Sequence, residues 1–381
     1  MNKEEKVYFP GLNALRFVAA SAVIITHIEL LKGEFGFKNF LYNPLINNLG
    51  GLGVYFFFVL SGFLITYLLL KEKALLNDIK IKDFYFRRIF RIWPLYFFIL
   101  ILGFFILPNF KEFNISNLET SFHNYFYQNL FLYLLILPNL AFSFFTAVPH
   151  IGQSWSIGVE EQFYIFWPWL IKKSSNILKT LFIFIITVIF IKILYLFLPD
   201  SLKDENWYLP LKRFLAMTKL ESMAIGGVGA SLLFYNNIKI LNFIYNKILF
   251  LLSFLIVIVL IYFTPQKIQD GIHIIYSVLF LIIIMNVSSR KYKFTGFLEN
   301  SVFNYLGSIS YGIYMYHFMI IPIILYFFKQ MALNLDLVTE NIVVYFFTFI
   351  FTVVISSLSY QFFEKRFINL KHKYATINSN K

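Results

Sequence analysis

The stretch Gly50-Gly-Leu-Gly-Val-Tyr-Phe-Phe-Phe-Val-Leu-Ser-Gly-Phe-Leu-Ile-Thr-Tyr-Leu-Leu-Leu-Lys71 carries no charge before its last residue. An uncharged run of this length is long enough for a helix to cross the hydrocarbon core of a bilayer. Similar runs recur along the 381-residue chain, in which 59% of the residues are hydrophobic and only 14% are charged. This composition excludes a soluble globular protein, a disordered chain and a barrel of alternating strands. The sequence therefore predicts an all-α integral membrane protein that spans the membrane several times.

Ten segments are predicted to cross the membrane. They are residues 11–31, 50–71, 85–107, 155–172, 177–197, 213–235, 246–264, 272–289, 303–328 and 341–363. A further apolar segment, 123–142, contains three asparagines, a glutamine and a proline. It either spans the membrane or enters it and returns on the same side.

The distribution of Lys and Arg distinguishes these two topologies. If 123–142 does not span and the N-terminus is cytoplasmic, 22 Lys and Arg lie inside and 8 outside; if it spans, the counts become 14 and 16. Cytoplasmic loops of membrane proteins are enriched in positive charge. We therefore expect about ten transmembrane helices, both termini in the cytoplasm, and an exterior segment 108–154 that is partly re-entrant or interfacial. The net charge of +13 is then explained by the excess of Lys and Arg in loops on the cytoplasmic side of the lipid bilayer. No nucleic-acid partner is predicted.

The chain contains no cysteine, which excludes disulfides, thiolate metal sites and cysteine nucleophiles; no metal site is predicted. The first apolar run includes Arg16 and has no signal-peptide cleavage site after it, so it is expected to be retained as a helix. Residues 1–371 are predicted to form a single membrane domain, and 372–381 a flexible cytoplasmic tail.

Ionisable side chains inside spans are costly, so each is a candidate functional residue. Arg16 and His27 are eleven residues apart on span 1, which is about 16 Å along a helix, and both project from nearly the same face. They could line a polar passage; alternatively, Arg16 reaches back to the cytoplasmic surface and His27 is a hydrogen-bonded packing residue.

Three arginines, Arg87, Arg88 and Arg91, open span 3 from the cytoplasm. A guanidinium group binds phosphate through two parallel hydrogen bonds, so the cluster indicates an anionic ligand. Simple anchoring of the helix at a cytoplasmic surface is the alternative.

Spans 4, 6 and 9 also contain candidates. Glu160 and Glu161 are adjacent near the exterior end of span 4, and His317 is near the middle of span 9. By predicted depth, His27, Glu160 and His317 share the outer half of the membrane and the arginines lie inward. This arrangement is typical of an imidazole base that lies near an exterior acceptor and is oriented by a carboxylate. The arginines on the cytoplasmic side would then form a positively charged site for an anionic donor.

Five motifs in this order resemble those of the membrane-bound acyltransferase 3 family, integral-membrane O-acyltransferases that acetylate cell-surface glycans. The motifs are Arg16 with His27 after ten intervening positions, Phe-Phe-Val-Leu-Ser-Gly-Phe-Leu-Ile at 57–65, Arg-Arg-x-x-Arg-Ile-x-Pro at 87–94, Trp-Ser-x-x-x-Glu-x-x-Phe-Tyr at 155–164, and Ser-Tyr-x-x-Tyr-x-x-His at 310–317. Three motifs depart from the family pattern. Ile157 replaces the usual Leu, and Lys219 and Glu221 replace Arg-x-Asp. The final helix of the family often ends Glu-x-Pro, whereas here Glu364 is followed by Lys365 and Arg366.

The resemblance implies transfer of an acyl group, usually acetyl, from cytoplasmic acetyl-CoA to a sugar hydroxyl of a lipopolysaccharide, an exopolysaccharide or another surface glycan. It implies a multi-pass protein of the cell (inner or plasma) membrane, with acetyl-CoA as a substrate and no bound cofactor. Many relatives carry an appended Ser-esterase-like domain that is not seen here, so we expect the membrane unit to act alone or with a separate partner.

The resemblance also implies roles for particular residues. His27 is the base or a transient acyl carrier, and Glu160 supports it. Arg16, Arg87, Arg88 and Arg91 hold the CoA phosphates, while Trp155, Tyr164, His317, Lys219 and Glu221 lie on the acceptor side or support it.

Two other functions of membrane proteins are alternatives. A transporter or flippase for an anionic lipid or sugar could use the same groups as a relay, although no internal repeat is visible. A polyprenyl-phosphate-sugar glycosyltransferase would require acidic residues in the first exterior loop, 32–49, where only Glu34 is present.

Overall fold

Helices form almost all of the fold in the computed structural model, which describes residues 5–113, 122–264, 271–289, 291–331, 335–374 and 377–378. The α-helices are α1 (Leu12–Glu34), α2 (Pro44–Leu76), α3 (Ile81–Ile101), α4 (Phe126–Leu134), α5 (Pro138–Phe144), α6 (Trp155–Lys173), α7 (Ile177–Leu196), α8 (Asp200–Lys203), α9 (Tyr208–Met217), α10 (Leu220–Phe234), α11 (Ile238–Ile244), α12 (Lys247–Phe263), α13 (His273–Ser288), α14 (Ser301–Ser308), α15 (Ser310–Gln330), α16 (Leu337–Ser359) and α17 (Lys365–Lys371). Short π turns continue α3 (Leu102–Ile106) and α16 (Tyr360–Glu364), and 3-10 turns lie at Leu107–Asn109, Lys111–Phe113, Gly152–Ser154, Lys293–Glu299 and His372–Tyr374. Two short strands are β1 (Glu5–Lys6) and β2 (Ile377–Asn378).

Six helical stretches among the described residues are long and apolar enough to cross a membrane. They are Leu12–Glu34, Pro44–Leu76, Ile81–Asn109, Ile177–Leu196, Ser310–Gln330 and Leu337–Lys371. The pair α11 and α12, bent by 55°, would make a seventh if it counts as one span. The structure thus supports an all-helical membrane protein but does not confirm ten spans. One reason is that α13 is only 16 residues long, a rise of about 24 Å against a hydrocarbon core of about 30 Å.

Two predicted spans are each divided into two helices in the structure, a feature that the sequence did not predict. The segment 213–235 forms α9 and α10, which are interrupted at Thr218 and Lys219, and 303–328 forms α14 and α15, which meet at Ile309. Both breaks fall at polar or small residues, Thr218-Lys219 and Gly307-Ser-Ile-Ser310. The first break lies where Lys219 is buried within the bundle.

The segment 123–142 forms two short helices, α4 and α5, separated at a residue with positive φ, Ile136. Their nine and seven residues rise about 13 Å and 10 Å, so neither crosses a bilayer. Asn139 exchanges hydrogen bonds of 3.2 and 2.9 Å with Gln162 on α6, which attaches this segment to the bundle. This geometry fits a segment that enters and returns, while its side of entry stays a prediction.

The start of α6 lies inside the bundle. Gln153 Nε2 donates to the carbonyl oxygen of Met315 at 2.8 Å, and the hydroxyls of Ser156 and Tyr314 are 2.7 Å apart. Gln153 and Ser156 are both buried. The chain before α6 therefore descends into the molecule before the helix begins.

The central helix α2 packs closely against α10. A β-carbon at Gly62 would overlap the backbone of Met223, and one at Gly226 would overlap the carbonyl oxygen of Val59. Small residues at such crossings let two membrane helices approach closely. The glycine-rich run that begins at Gly50 thus serves helix packing.

The two ends of the described chain lie side by side, because β1 and β2 pair in parallel. Tyr374 stacks on Phe86 and Phe90, with ring centroids 4.8 and 5.8 Å apart. The flexibility of the tail 372–381 stays a prediction: Tyr374 packs on α3 and residues 377–378 pair with β1, while 375–376 and 379–381 lie outside the described residues. The termini share one side of the bundle, and its assignment to the cytoplasm stays a prediction.

Candidate active site

Two histidines from distant parts of the chain meet inside the bundle. His27 on α1 and His317 on α15 place Nδ1 and Nε2 2.7 Å apart, with ring planes only 5° from parallel. His317 is completely buried, whereas His27 is half-buried. The edge of Phe318 packs against the His27 ring at 4.9 Å between centroids. The structure thus joins two predicted site residues, although the sequence gave no indication that they touch.

The hydrogen bonds of this pair assign its protons. His317 Nδ1 is 3.3 Å from the carbonyl oxygen of Ile313, one turn earlier on α15. A carbonyl can only accept, so Nδ1 carries the proton, and neutral His317 presents a lone pair at Nε2. His27 Nδ1 then donates to that lone pair, which leaves the lone pair of His27 at Nε2. The half-buried imidazole therefore presents a basic nitrogen, and the buried one fixes its tautomer.

Glu160 makes no hydrogen bond to His27 in the structure, and its support of His27 stays a prediction. Glu160 Oε2 accepts a hydrogen bond of 2.9 Å from Tyr164, whose oxygen is also 2.5 Å from the Ser61 hydroxyl. Glu160 instead lies within electrostatic reach of Arg16, Arg88 and Arg91. Sequence reasoning missed Ser61, which appears only as part of a packing motif.

Three guanidinium groups lie together on the side of the imidazole pair that faces the start of α1. Arg16 on α1 interacts electrostatically with Arg88 and Arg91 on α3, and also with Glu160. Arg88 lies over the ring of Tyr164, 5.9 Å from its centroid, and its buried Nε has no hydrogen-bond partner. Arg91 makes no hydrogen bond or short ion pair with the residues that the structure describes. Such a cluster can bind an anion.

The remaining arginine of the motif, Arg87, is already paired. It forms an ion pair of 2.8 Å with buried Glu72 on α2 and donates at 2.7 Å to the carbonyl oxygen of Tyr374. Its expected role in holding the donor is therefore not supported, because its donors are directed to α2 and the tail.

Glu161 is adjacent to Glu160 but has a different environment. Its Oε2 accepts a hydrogen bond of 2.9 Å from the indole of Trp93, and its Oε1 is buried without a partner. Trp155, at the start of α6, packs edge-on against Phe58 with 6.3 Å between centroids. Trp155 thus has a packing contact with α2.

Lys219 and Glu221 meet a third residue, His273 on α13. Glu221 Oε1 is 2.6 Å from Lys192 Nζ and 2.5 Å from His273 Nε2, while Lys219 Nζ is 3.4 Å from His273 Nδ1. Glu221 is completely buried, and its Oε2 has no partner. Sequence reasoning did not select Lys192 or His273, although both are ionisable residues within predicted spans, the signal that identified the others.

Comparison with known proteins identifies similar sequences. A family described as "Acyltransferase domain" matches residues 9–361. "Putative O-acetyltransferase SACOL0978" of Staphylococcus aureus strain COL is 28% identical over 369 residues, which cover 94% of this chain and 57% of that protein. "O-acetyltransferase OatA" of S. aureus strain NCTC 8325 is 27% identical over 375 residues, with the same coverage. The chain therefore spans somewhat more than half the length of these relatives. No solved structure shows a significant match.

Proposed function

Since the chain belongs to this acyltransferase family, a family of membrane proteins, we propose that it transfers an acetyl group from cytoplasmic acetyl-CoA to a sugar hydroxyl of a cell-surface glycan. The observation that carries this proposal is the hydrogen-bonded pair of His27 and His317, because it presents a neutral imidazole lone pair at His27 Nε2. The transporter alternative has no comparable support, since the sequence shows no internal repeat.

In the proposed reaction, His27 Nε2 takes the proton of the acceptor hydroxyl as its oxygen attacks the thioester carbonyl. The C–O ester bond forms, the C–S bond breaks, and the leaving thiolate takes the proton back from the His27 imidazolium. His317 is a positioning residue that holds His27 in the required tautomer. Its Nε2 accepts from the Nδ1–H of the imidazolium and stabilises its charge.

The donor is proposed to be held by Arg16, Arg88 and Arg91. Arg88 has a buried unpartnered nitrogen and Arg91 has no hydrogen bond among the described residues, so both have donors left for phosphate oxygens. Arg16 and His27 are eleven residues apart on α1, or about 16 Å. This spacing suits a donor whose phosphates and thioester are separated by an extended arm.

The other predicted residues are assigned supporting roles. Glu160 and Tyr164, which are hydrogen-bonded to each other, are proposed to position Arg88 and Arg91. Lys219 and Glu221, with His273, are proposed to contact the acceptor, and Trp155 to support α6. The protein is proposed to act in the cell membrane, with its donor site facing the cytoplasm.

The donor assignment can be tested with purified full-length protein in liposomes and radiolabelled acetyl-CoA. Arg91→Gln should raise the KM for acetyl-CoA about ten- to a hundredfold, because one charged hydrogen bond to phosphate is worth roughly 1.5–3 kcal/mol. Arg366→Gln is the matched control, since Arg366 is exposed on α17, and it should change this KM less than twofold. A raised KM for the glycan acceptor with an unchanged donor KM would refute the assignment.

A further inference from the structure

The last helix brings one more cation to the arginines. Lys371, the final residue of α17, is only 6% exposed. α17 packs on α3, the helix that carries Arg88 and Arg91. The charges that act on Lys371 include those of Arg91, Arg88, Arg16 and Arg87, all of which repel it. Among the described residues, no carboxylate lies within ion-pair distance of its ammonium.

Burial of a lysine beside like charges is unfavourable for the isolated protein, because desolvation and repulsion both oppose it. The surrounding structure nevertheless fixes the segment in place. The carbonyl oxygen of Tyr374 accepts from Arg87, and the Tyr374 ring stacks on Phe86 and Phe90. A local arrangement that costs stability and is held by its surroundings is typical of a functional site.

We propose that Lys371 completes the donor site by binding a phosphate of the acyl-CoA. This inference rests on the proposed function, and it extends the site to a residue outside both the five motifs and the family match, which ends at 361. Arg16, Arg88, Arg91 and Lys371 together present four cations to a donor that carries several phosphate charges. The C-terminal segment is then part of the substrate site.

Lys371→Gln should have opposite effects on the stability of the protein without acetyl-CoA and on its stabilisation by acetyl-CoA. Removing a like charge from the cluster should leave the Tm of the empty protein unchanged or higher. The increase in Tm on adding acetyl-CoA should become smaller, and the KM for acetyl-CoA should rise about tenfold. Lys371→Arg keeps the charge and should restore most of the affinity.

Two controls separate this role from a structural one. Lys373→Gln removes an exposed lysine two residues away and should change neither quantity. S-acetylpantetheine lacks phosphate, so its KM should be the same for the wild-type protein and for Lys371→Gln.

Three results would overturn the proposal. The first is an unchanged KM for acetyl-CoA in Lys371→Gln when Arg91→Gln raises it, which would leave the proposed function intact. The second is an equal increase in the KM for S-acetylpantetheine. The third is a wild-type protein that neither binds nor uses acetyl-CoA, which would instead remove the proposed function itself.

Discussion

Replacement of His317 by residues of similar size tests the paired imidazoles. His317→Leu removes the acceptor for the Nδ1–H of His27. His317→Gln keeps an amide oxygen that can reach the same place. If His317 positions His27, the leucine variant should be the slower enzyme, and both variants should bind donor as the wild type does.

The magnitude follows from the charge on His27 during the reaction. In the transition state His27 becomes an imidazolium, and a hydrogen bond to a charged group is worth about 1.5–3 kcal/mol. Its loss corresponds to a decrease in kcat of about ten- to 150-fold. The KM for acetyl-CoA should stay within about twofold, because the phosphate site lies elsewhere.

The assay is steady-state acetyl transfer by purified variants at saturating donor. His317→Gln should retain clearly more activity than His317→Leu. Equal kcat values for the two variants would refute the argument, since they differ chiefly in the acceptor. An inactive His317→Leu together with a nearly normal His27→Gln would place the base on α15 instead.

Three further predictions concern the scaffold. Arg87→Ala should lower the free energy of unfolding in detergent by about 3 kcal/mol, because it leaves the buried carboxylate of Glu72 unpaired. An unchanged unfolding midpoint together with a raised KM for acetyl-CoA would instead show that Arg87 binds the donor. Gly226→Ala should lower the free energy of unfolding by about 1–3 kcal/mol, and with it Tm, because the added methyl overlaps the facing backbone. Gly51→Ala is the control for Gly226→Ala and should leave Tm unchanged, since nothing lies within 4 Å of the added methyl. Single cysteines in place of Lys111 and Phe144 should both label from outside; labelling of position 144 only from the cytoplasm would show that 123–142 spans.

Sequence patterns predicted the bounds of several long apolar helices well, because few charged residues interrupt their hydrophobicity. The observed α1 and α7 begin and end within a few residues of the predicted spans 11–31 and 177–197. The contact between Lys219 and His273 was not predictable in this way, since His273 is supplied by another helix.

The candidate site was predicted in composition but not in arrangement. Periodicity shows which face of a helix a residue occupies, but it does not show how deep the helix begins. Glu160 was therefore placed beside His27, whereas α6 starts inside the bundle and carries Glu160 down to the arginines. Likewise, Arg87 and Arg91 look alike in sequence, and only tertiary packing shows that Arg87 is occupied by Glu72.

The central claim is that His27 is the general base of acetyl transfer. Its most direct test is the rate of acetyl transfer from acetyl-CoA to the glycan by purified His27→Ala, measured together with donor affinity. His27→Ala should transfer acetyl about 10²–10⁴-fold more slowly than the wild-type protein, with unchanged affinity for acetyl-CoA. Transfer by His27→Ala at a rate close to that of the wild-type protein would contradict it.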